Sequence, residues 1–164
     1  MMKYWCSKRV YQWLSRTALL AVFWLLVACD PQVVFHQSIP VLGAQWNRLD
    51  TISFTPQIPD SGTSYQTSIE VRLLQSYPYQ DLVIGYEFFS PENEMLLSGT
   101  YELNTTDNYY DKNGNGLAGL YSYSAYLNTL PIEKAGNYTI RIFQLEKDTL
   151  LRGVQDVGLK LSRH

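Results

Sequence analysis

Cys29 is the residue of this chain whose type and position predict a defined chemistry. It follows Leu26-Val27-Ala28 directly, at the end of an apolar run over residues 17–28 that basic residues precede. Twelve helical residues span about 18 Å, too little to cross a hydrocarbon core of about 30 Å, so the pattern is typical of a cleaved export signal. A cysteine directly after the small residue is typical of a lipobox, in which the cysteine takes a thioether-linked lipid and becomes the new N-terminus. We predict that residues 1–28 are a signal peptide and that Cys29 is lipidated.

The lipid on Cys29 is expected to hold the protein on a membrane. Burial of acyl chains stabilises by about 0.8 kcal/mol per CH₂, so one chain binds reversibly whereas two or three hold firmly. The other cysteine, Cys6, lies in the leader and leaves with it. The mature chain therefore has no thiol left for a disulfide, a metal site or nucleophilic catalysis.

The segment Asp111-Lys112-Asn113-Gly114-Asn115-Gly116 carries the sharpest metal-binding pattern in the chain. Oxygen ligands at Asp111, Asn113 and Asn115, with glycine at the sixth position, match the first half of an EF-hand calcium loop. The twelfth position is Ser122, where that loop requires a bidentate glutamate. Two Asn-Gly pairs are also typical of a β-hairpin turn. Both interpretations stay open here, and the hairpin is favoured.

Few residues of the mature chain suggest catalysis. Its histidines are His36, near the new N-terminus, and His164, at the last position. A Ser-His-Asp arrangement would need His36, and no nucleophile-elbow glycine pattern supports it. The close carboxylates Glu92 and Glu94 fall in a Pro-Glu-Asn-Glu turn, where solvated acidic residues are ordinary. We expect a protein that is not an enzyme and that needs no cofactor.

Tyrosines suggest a second kind of binding site. The chain has thirteen, and four of them (Tyr77, Tyr79, Tyr109 and Tyr110) fall in or beside predicted turns, where ring faces could stack on a sugar. Tyrosine is also a good core residue because its body is apolar and its tip is polar. A lipid-anchored binding module for carbohydrate or calcium is therefore the alternative function that the residues allow.

Charge argues against nucleic acid as a partner. Residues 29–164 hold nine basic and fifteen acidic side chains, a net charge of −6. The basic residues are scattered singly and form no positive stripe of the kind that binds a phosphate backbone. An acidic domain also has no electrostatic reason to lie flat on anionic lipid.

Alternation of apolar and polar residues predicts an all-β fold. Seven runs with a period of two, rich in Tyr, Ile, Val and Thr, cover residues 52–54, 69–73, 82–88, 97–103, 121–127, 138–142 and 157–161. Both faces of the 82–88 run are largely apolar, as in a central strand. We predict a single antiparallel β-sandwich of about seven strands, immunoglobulin-like or jelly-roll-like, over residues 47–164.

Residues 29–46 are predicted to be the acylated N-terminus and a tether. Their apolar side chains Val33, Val34, Phe35 and Ile39 indicate that part of this segment packs on the domain.

Landmarks along the mature chain resemble the gliding-motility lipoprotein family GldH of Bacteroidetes, in order and over nearly its whole length. The two most specific are Tyr77-Pro78-Tyr79-Gln80-Asp81-Leu82 and the closing Gly153-Val154-Gln155-Asp156-Val157-Gly158-Leu159. The others are Gln37-Ser38-Ile39-Pro40, Trp46, Asp50-Thr51-Ile52-Ser53-Phe54, a glycine-rich loop over 113–119, and Ala135-Gly136-Asn137-Tyr138-Thr139.

The resemblance implies a non-enzymatic lipoprotein of the cell envelope, associated with the gliding apparatus and the linked type IX secretion machinery. Its partners would be a membrane, through the anchor on Cys29, and other envelope proteins. The resemblance transfers a defined role to Cys29 alone. The domain would face the periplasm from either the inner or the outer membrane.

Overall fold

Strands account for nearly all regular structure in residues 32–106 and 114–163, the parts of the chain that this computed structural model describes. The strands are β1 (Val33–Pro40), β2 (Gln45–Asn47), β3 (Ile52–Phe54), β4 (Gln57–Ile58), β5 (Thr63–Leu74), β6 (Asp81–Phe89), β7 (Met95–Asn104), β8 (Asn115–Leu117), β9 (Leu120–Ile132), β10 (Gly136–Asn137), β11 (Thr139–Gln144), β12 (Leu150–Arg152) and β13 (Val154–Arg163). A short 3₁₀ turn, Leu42–Ala44, lies between β1 and β2.

Two antiparallel sheets pack face to face. The five-stranded sheet has the order β1-β13-β5-β9-β8, and the four-stranded sheet has the order β3-β11-β6-β7. Two small ladders, β4 with β10 and β2 with β12, complete the pairing. The chain alternates between the sheets so that β1, β13, β5 and β9 lie opposite β3, β11, β6 and β7, which is the strand order of a jelly roll.

The core forms from the inward-facing alternate residues of both sheets. On β5 every second side chain from Tyr65 to Leu73 is buried, and on β13 the same holds for Val157, Leu159 and Leu161. Strand β6 pairs with β11 on one side and β7 on the other, and Leu82, Ile84 and Phe88 are almost fully enclosed. The expectation that β6 is a central strand is confirmed.

All seven predicted strands are present, as β3, β5, β6, β7, β9, β11 and β13. Five of the six further strands (β2, β4, β8, β10 and β12) have two or three residues. These segments offer too few residues for a period of two to be recognised. Strand β3 is equally short, but Thr51 and Thr55 extend the alternation of Ile52 and Phe54 beyond its ends.

The predicted boundary at residue 47 requires correction. Residues 33–40 form β1, which pairs with β13 along the edge of the five-stranded sheet, and Trp46 of β2 is buried. Val34, Phe35 and Ile39 pack against the core, as their apolar character indicated. Much of the predicted tether thus belongs to the sandwich, because β1 pairs with the edge of β13 that β5 does not cover.

Of the two Asn-Gly pairs predicted to form a hairpin turn, the second does not form it, and Asn113 of the first lies outside the described residues. Asn115 and Gly116 are in β8, and the tight turn that joins β8 to β9 is Ala118-Gly119, with φ of +53° and +80°. Two consecutive residues with positive φ are typical of a two-residue hairpin turn that follows the twist of its strands.

Candidate functional site on the outer face of the five-stranded sheet

Polar side chains gather on the solvent face of the five-stranded sheet, where four strands bring distant parts of the sequence together. Strand register aligns Ser38, Gly158, Glu70 and Ser124 in one row across β1, β13, β5 and β9. The next row aligns Pro40, Asp156, Arg72 and Ser122. We define the outer polar face as His36, Ser38, Glu70, Arg72, Ser122, Ser124 and Asp156, which line a common depression.

Asp156 is the centre of this face. Its side chain is 6% exposed and its carboxylate pairs with the half-exposed guanidinium of Arg72. Arg72 Nε donates to Oδ1 at 2.8 Å and Nη2 lies 2.5 Å from Oδ2, so the contact is bidentate. The Ser38 hydroxyl donates to the same Oδ1 at 2.9 Å. The hydrogen bond to Asp156 raises the pKa of Arg72, since it favours the charged guanidinium.

His36 does not form a catalytic triad in this structure. Its Nε2 lies 2.7 Å from the Glu70 carboxylate, whereas Ser38 bonds directly to Asp156. A triad places the histidine between the serine and the acid, so that the ring can take the hydroxyl proton. The observed arrangement holds side chains in place and offers no activated nucleophile among these residues.

The closing segment 153–159 builds both the core and the outer polar face. Val154, Val157 and Leu159 are fully buried, while Asp156 turns to the opposite side. A Cβ on Gly158, in the adjacent row, would lie 3.3 Å from the Cβ of Glu70. The absence of a side chain at Gly158 therefore leaves space beside Glu70 on this face. One segment thus fixes the sheet and shapes its surface.

Gly153, the first residue of that segment, lies against Tyr77. It has φ of +88°, and a Cβ there would lie 2.7 Å from the Tyr77 Cα. The Leu74 amide donates to the Gly153 carbonyl at 2.8 Å, and the Tyr77 hydroxyl donates to the Asp81 carbonyl at 2.7 Å. The two most specific segments of the sequence resemblance are therefore in contact.

A family model described as GldH lipoprotein matches residues 33–161, from the first strand of the sandwich into the last. The chain belongs to the GldH lipoprotein family. A relative from Flavobacterium johnsoniae (strain UW101), named gliding motility lipoprotein GldH, is 23% identical over 146 residues, and the match covers 85% of this chain and 90% of that relative.

Likenesses to solved structures are weak. The VP2 subviral particle of infectious bursal disease virus gives a TM-score of 0.39 at 11% identity, covering 80% of this chain and 30% of that one. Dimeric latent PorU from Porphyromonas gingivalis gives 0.36 at 7% identity, covering 83% of this chain and 14% of that one. The chain spans about a third or less of these proteins. Scores this low carry no argument.

The tyrosine platform that the alternative of sugar binding would require is not formed by the two tyrosines that can be placed in this GldH-family chain. Tyr77 is buried, and burial is the main reason that its pKa is raised. Tyr79 meets the Tyr77 ring edge-on and donates its hydroxyl to Asp148 at 2.7 Å. Tyr109 and Tyr110 lie outside the described residues.

The weak calcium candidates are not brought together by any described contact. Asp111 and Asn113 lie outside the described residues, and Asn115 begins β8, where it pairs with Ser122. Within residues 32–106 and 114–163, no three His, Cys, Asp or Glu side chains are arranged to hold a metal ion.

Cys29, the predicted lipidation site, and His164 also lie outside the described residues. In the part of the GldH-family chain that the structure describes, no helix has the length and apolar character needed to cross a membrane.

The carboxylates Glu92 and Glu94 lie in the turn between β6 and β7, as predicted. Glu92 accepts a hydrogen bond from Lys134 at 2.9 Å. That hydrogen bond is the main reason that the pKa of Glu92 is lowered. Glu92 is thereby one partner of an exposed ion pair.

Sequence reasoning missed the network around Asp156. Alternation with Val157 and Leu159 places Asp156 on the outer side of its strand, and that signal was available. The identities of Arg72 and Ser38 as partners depend on strand register between segments that are 84 and 118 residues away from Asp156.

Proposed function

We propose that this chain is a lipid-anchored envelope component of the gliding-motility apparatus and its linked type IX secretion machinery, and that it acts through protein–protein contacts without catalysing a reaction. The family supports the first part, since the relative from Flavobacterium johnsoniae is named a gliding motility lipoprotein. The anchor is the acyl group on Cys29, and the sandwich faces the periplasm.

The observation that carries this proposal is the extent of the family match. It runs over residues 33–161 and so includes every strand from β1 to most of β13, with both rows of the outer polar face. A function that members of the family share can therefore involve any part of the sandwich.

The outer polar face is the surface that we assign to contact with another envelope protein. Asp156 is held by Arg72 and Ser38 before any partner arrives, and His36 is held by Glu70. Side chains that are already ordered lose less conformational entropy on association, so a surface of this kind favours binding. Its mixture of acidic, basic and hydroxyl groups suits a polar protein surface.

A deletion strain complemented with variants tests the proposal. Wild type and Cys6→Ala should restore both surface spreading and the secreted-protein profile, whereas Cys29→Ala should restore neither at equal protein level. Arg72→Ala should reduce both traits. Arg152→Ala, at an exposed arginine on β12, is the matched control and should behave as wild type.

Normal spreading and secretion in the deletion strain would contradict the proposed role. Full rescue by Cys29→Ala would contradict the lipid anchor, and full rescue by Arg72→Ala would remove the outer polar face from the contact surface.

A further inference from the structure

Four strands end the two large sheets, and they differ in how well their free edges are protected. Strands β3 and β8 have three residues each, and β1 ends at Pro40 and contains a bulge between Val33 and Phe35. Strand β7 has ten residues, with neither proline nor lysine among them. Short length, proline, lysine and bulges are the usual means by which edge strands avoid pairing with other chains. The edge of β7 lacks the first three, and its bulge against β6 lies at its first residues.

Among the described residues, the outer edge of β7 has no neighbouring strand. It pairs with β6 on one side, and no other strand of the described residues pairs on its far side. Strand β9 lies opposite it in the other sheet and is paired with β8 only at residues 120–122. The Tyr123 hydroxyl of β9 donates to the Thr105 carbonyl just beyond β7 at 2.8 Å, so these two open edges share one side of the sandwich.

Apolar exposure is concentrated on the same side. Eight large apolar side chains are exposed among the described residues, and four of them lie on β7, β8 and β9: Met95, Leu96, Leu117 and Tyr126. Met95 and Leu96 are 56% and 46% exposed at the first two positions of β7. Exposed apolar side chains beside an unpaired edge are a feature of surfaces that bind other chains.

Charge on this side is predominantly negative. A cavity of about 230 Å³ adjoins the start of β7, with an apolar wall that includes Leu96, Leu97 and Leu130. The residues that line it include three carboxylates, those of Glu92, Glu94 and Glu133, and one cation, Lys134. Lys134 already donates a hydrogen bond to Glu92. Strands β7 and β9 add Glu102 and no basic residue.

We propose that the edge of β7 accepts an extended segment of a partner protein, which adds as a fifth strand to the four-stranded sheet and carries lysine or arginine at its C-terminal end. Main-chain hydrogen bonds would supply affinity, as in other cases of strand addition. Antiparallel pairing is the more stable arrangement, and it places the C-terminal end of the added strand beside Met95 and the carboxylates of Glu94 and Glu133.

This inference deepens the proposed function, since it rests on action through protein contacts and names the chemistry of one partner segment. The exposed apolar residues favour alternating apolar side chains in that segment, and the acidic cavity favours a basic end.

Amide hydrogen exchange on the purified full-length chain in detergent micelles tests the proposal. The probe is a synthetic nonapeptide of alternating threonine and valine that ends in two lysines, and the control peptide ends in two glutamates. At saturation the lysine peptide should slow exchange in residues 95–104 by about tenfold or more, because their free amides become hydrogen-bonded. Exchange in β1, the other long edge, should not change.

Variants separate charge from backbone pairing. Glu94→Gln with Glu133→Gln should weaken binding of the lysine peptide by about threefold to tenfold, as expected for the loss of two exposed ion pairs with the peptide. Asp50→Asn with Asp60→Asn removes the same charge elsewhere and should leave binding as in wild type, because Asp50 precedes β3 at the opposite edge of the sheet and Asp60 pairs with Arg163 of β13.

Absence of protection in residues 95–104, or equal binding of the two peptides, would overturn the proposal. A dimer that forms with rising protein concentration and protects β7 without peptide would assign the edge to a second copy and would also overturn it. Because the test uses purified protein, a negative result is distinguishable from loss of the spreading and secretion roles.

Discussion

At the residue scale, the outer polar face depends on Asp156. Its carboxylate accepts hydrogen bonds from Ser38 and Arg72 while its side chain is 6% exposed. A nearly buried charge is stable only when it is paired and hydrogen-bonded, so the three residues act as one unit.

Asp156→Asn should lower the free energy of unfolding by about 1–2 kcal/mol, because it removes the charge from a bidentate contact whose arginine remains half exposed. Urea unfolding followed by circular dichroism measures the change. Glu92→Gln, which breaks the exposed pair with Lys134, is the control and should give no resolvable change. Equal losses in the two variants would show that burial of Asp156 has no energetic consequence.

Lys134 holds the pKa of Glu92 below its usual range, chiefly through the hydrogen bond between them. Lys134→Met should therefore raise the pKa of Glu92, as read from the carboxyl carbon shift in an NMR titration. Because the folded pKa is lowered, stabilisation by this pair is present above the unfolded carboxyl pKa and is lost as pH falls through the folded value. An unchanged Glu92 titration in the variant would contradict the contact.

At the element scale, the connection from β5 to β6 is fixed by contact between Gly153 and Tyr77. Gly153 has φ of +88° and stands where a Cβ would meet the Tyr77 backbone at 2.7 Å and 2.9 Å. Gly62 has a similar φ of +72°, but nothing lies within 4 Å of its Cβ position. Substitutions at the two glycines therefore separate the cost of a strained backbone from the cost of crowding by a neighbour.

Gly153→Ala should cost about 3 kcal/mol in the free energy of unfolding, and Gly62→Ala about 1 kcal/mol. The smaller value reflects the cost of a Cβ at positive φ, and the difference reflects displacement of the Tyr77 backbone. Urea denaturation of both variants measures the two values. A Gly153→Ala variant as stable as Gly62→Ala would mean that the β5–β6 connection moves freely.

Strand β1 should be necessary for the fold, because it covers the β13 edge and its Phe35 ring packs edge-on against Phe54 at 6.4 Å between centroids. A chain that begins at Gln32 should unfold cooperatively in urea. A chain that begins at Asn47 lacks β1 and the buried Trp46, and it should show no cooperative transition. Equal stability of the two chains would mean that residues 33–46 act as a tether, as the sequence predicted, and do not stabilise the sandwich.

Strand prediction worked where alternation extended over five or more residues, including Thr51 to Thr55 around the short β3. The run that became β6 is apolar on both faces and proved to be interior, since a strand with neighbours on both sides and a sheet above it is buried. Strand β1 was harder, because its side chains from His36 to Ser38 are exposed and its apolar residues are only partly buried.

At the scale of the whole molecule, the proposed anchor depends on one atom, the Cys29 sulfur. Intact-mass spectrometry of the protein from membranes should show loss of residues 1–28 and the added mass of a lipid. Cys29→Ala should carry no lipid, whereas Cys6→Ala, whose altered residue leaves with the leader, should match wild type. Lipid on Cys29→Ala would place the acyl chain on another residue.

The amino-acid sequence by itself determined the predicted lipidation signal, the all-β class and the family, because each depends on residues that are close together in the chain. The apolar run before Cys29, alternation along single strands and the closing segment 153–159 need no partner to be recognised. Tertiary structure decided which strands lie side by side. Register between β1, β13 and β5 brought Ser38, Arg72 and Asp156 together, and the jelly-roll order left β7 at an open edge beside an acidic cavity. Those features depend on pairing between residues far apart in the chain, and local patterns of side chains do not encode such pairing.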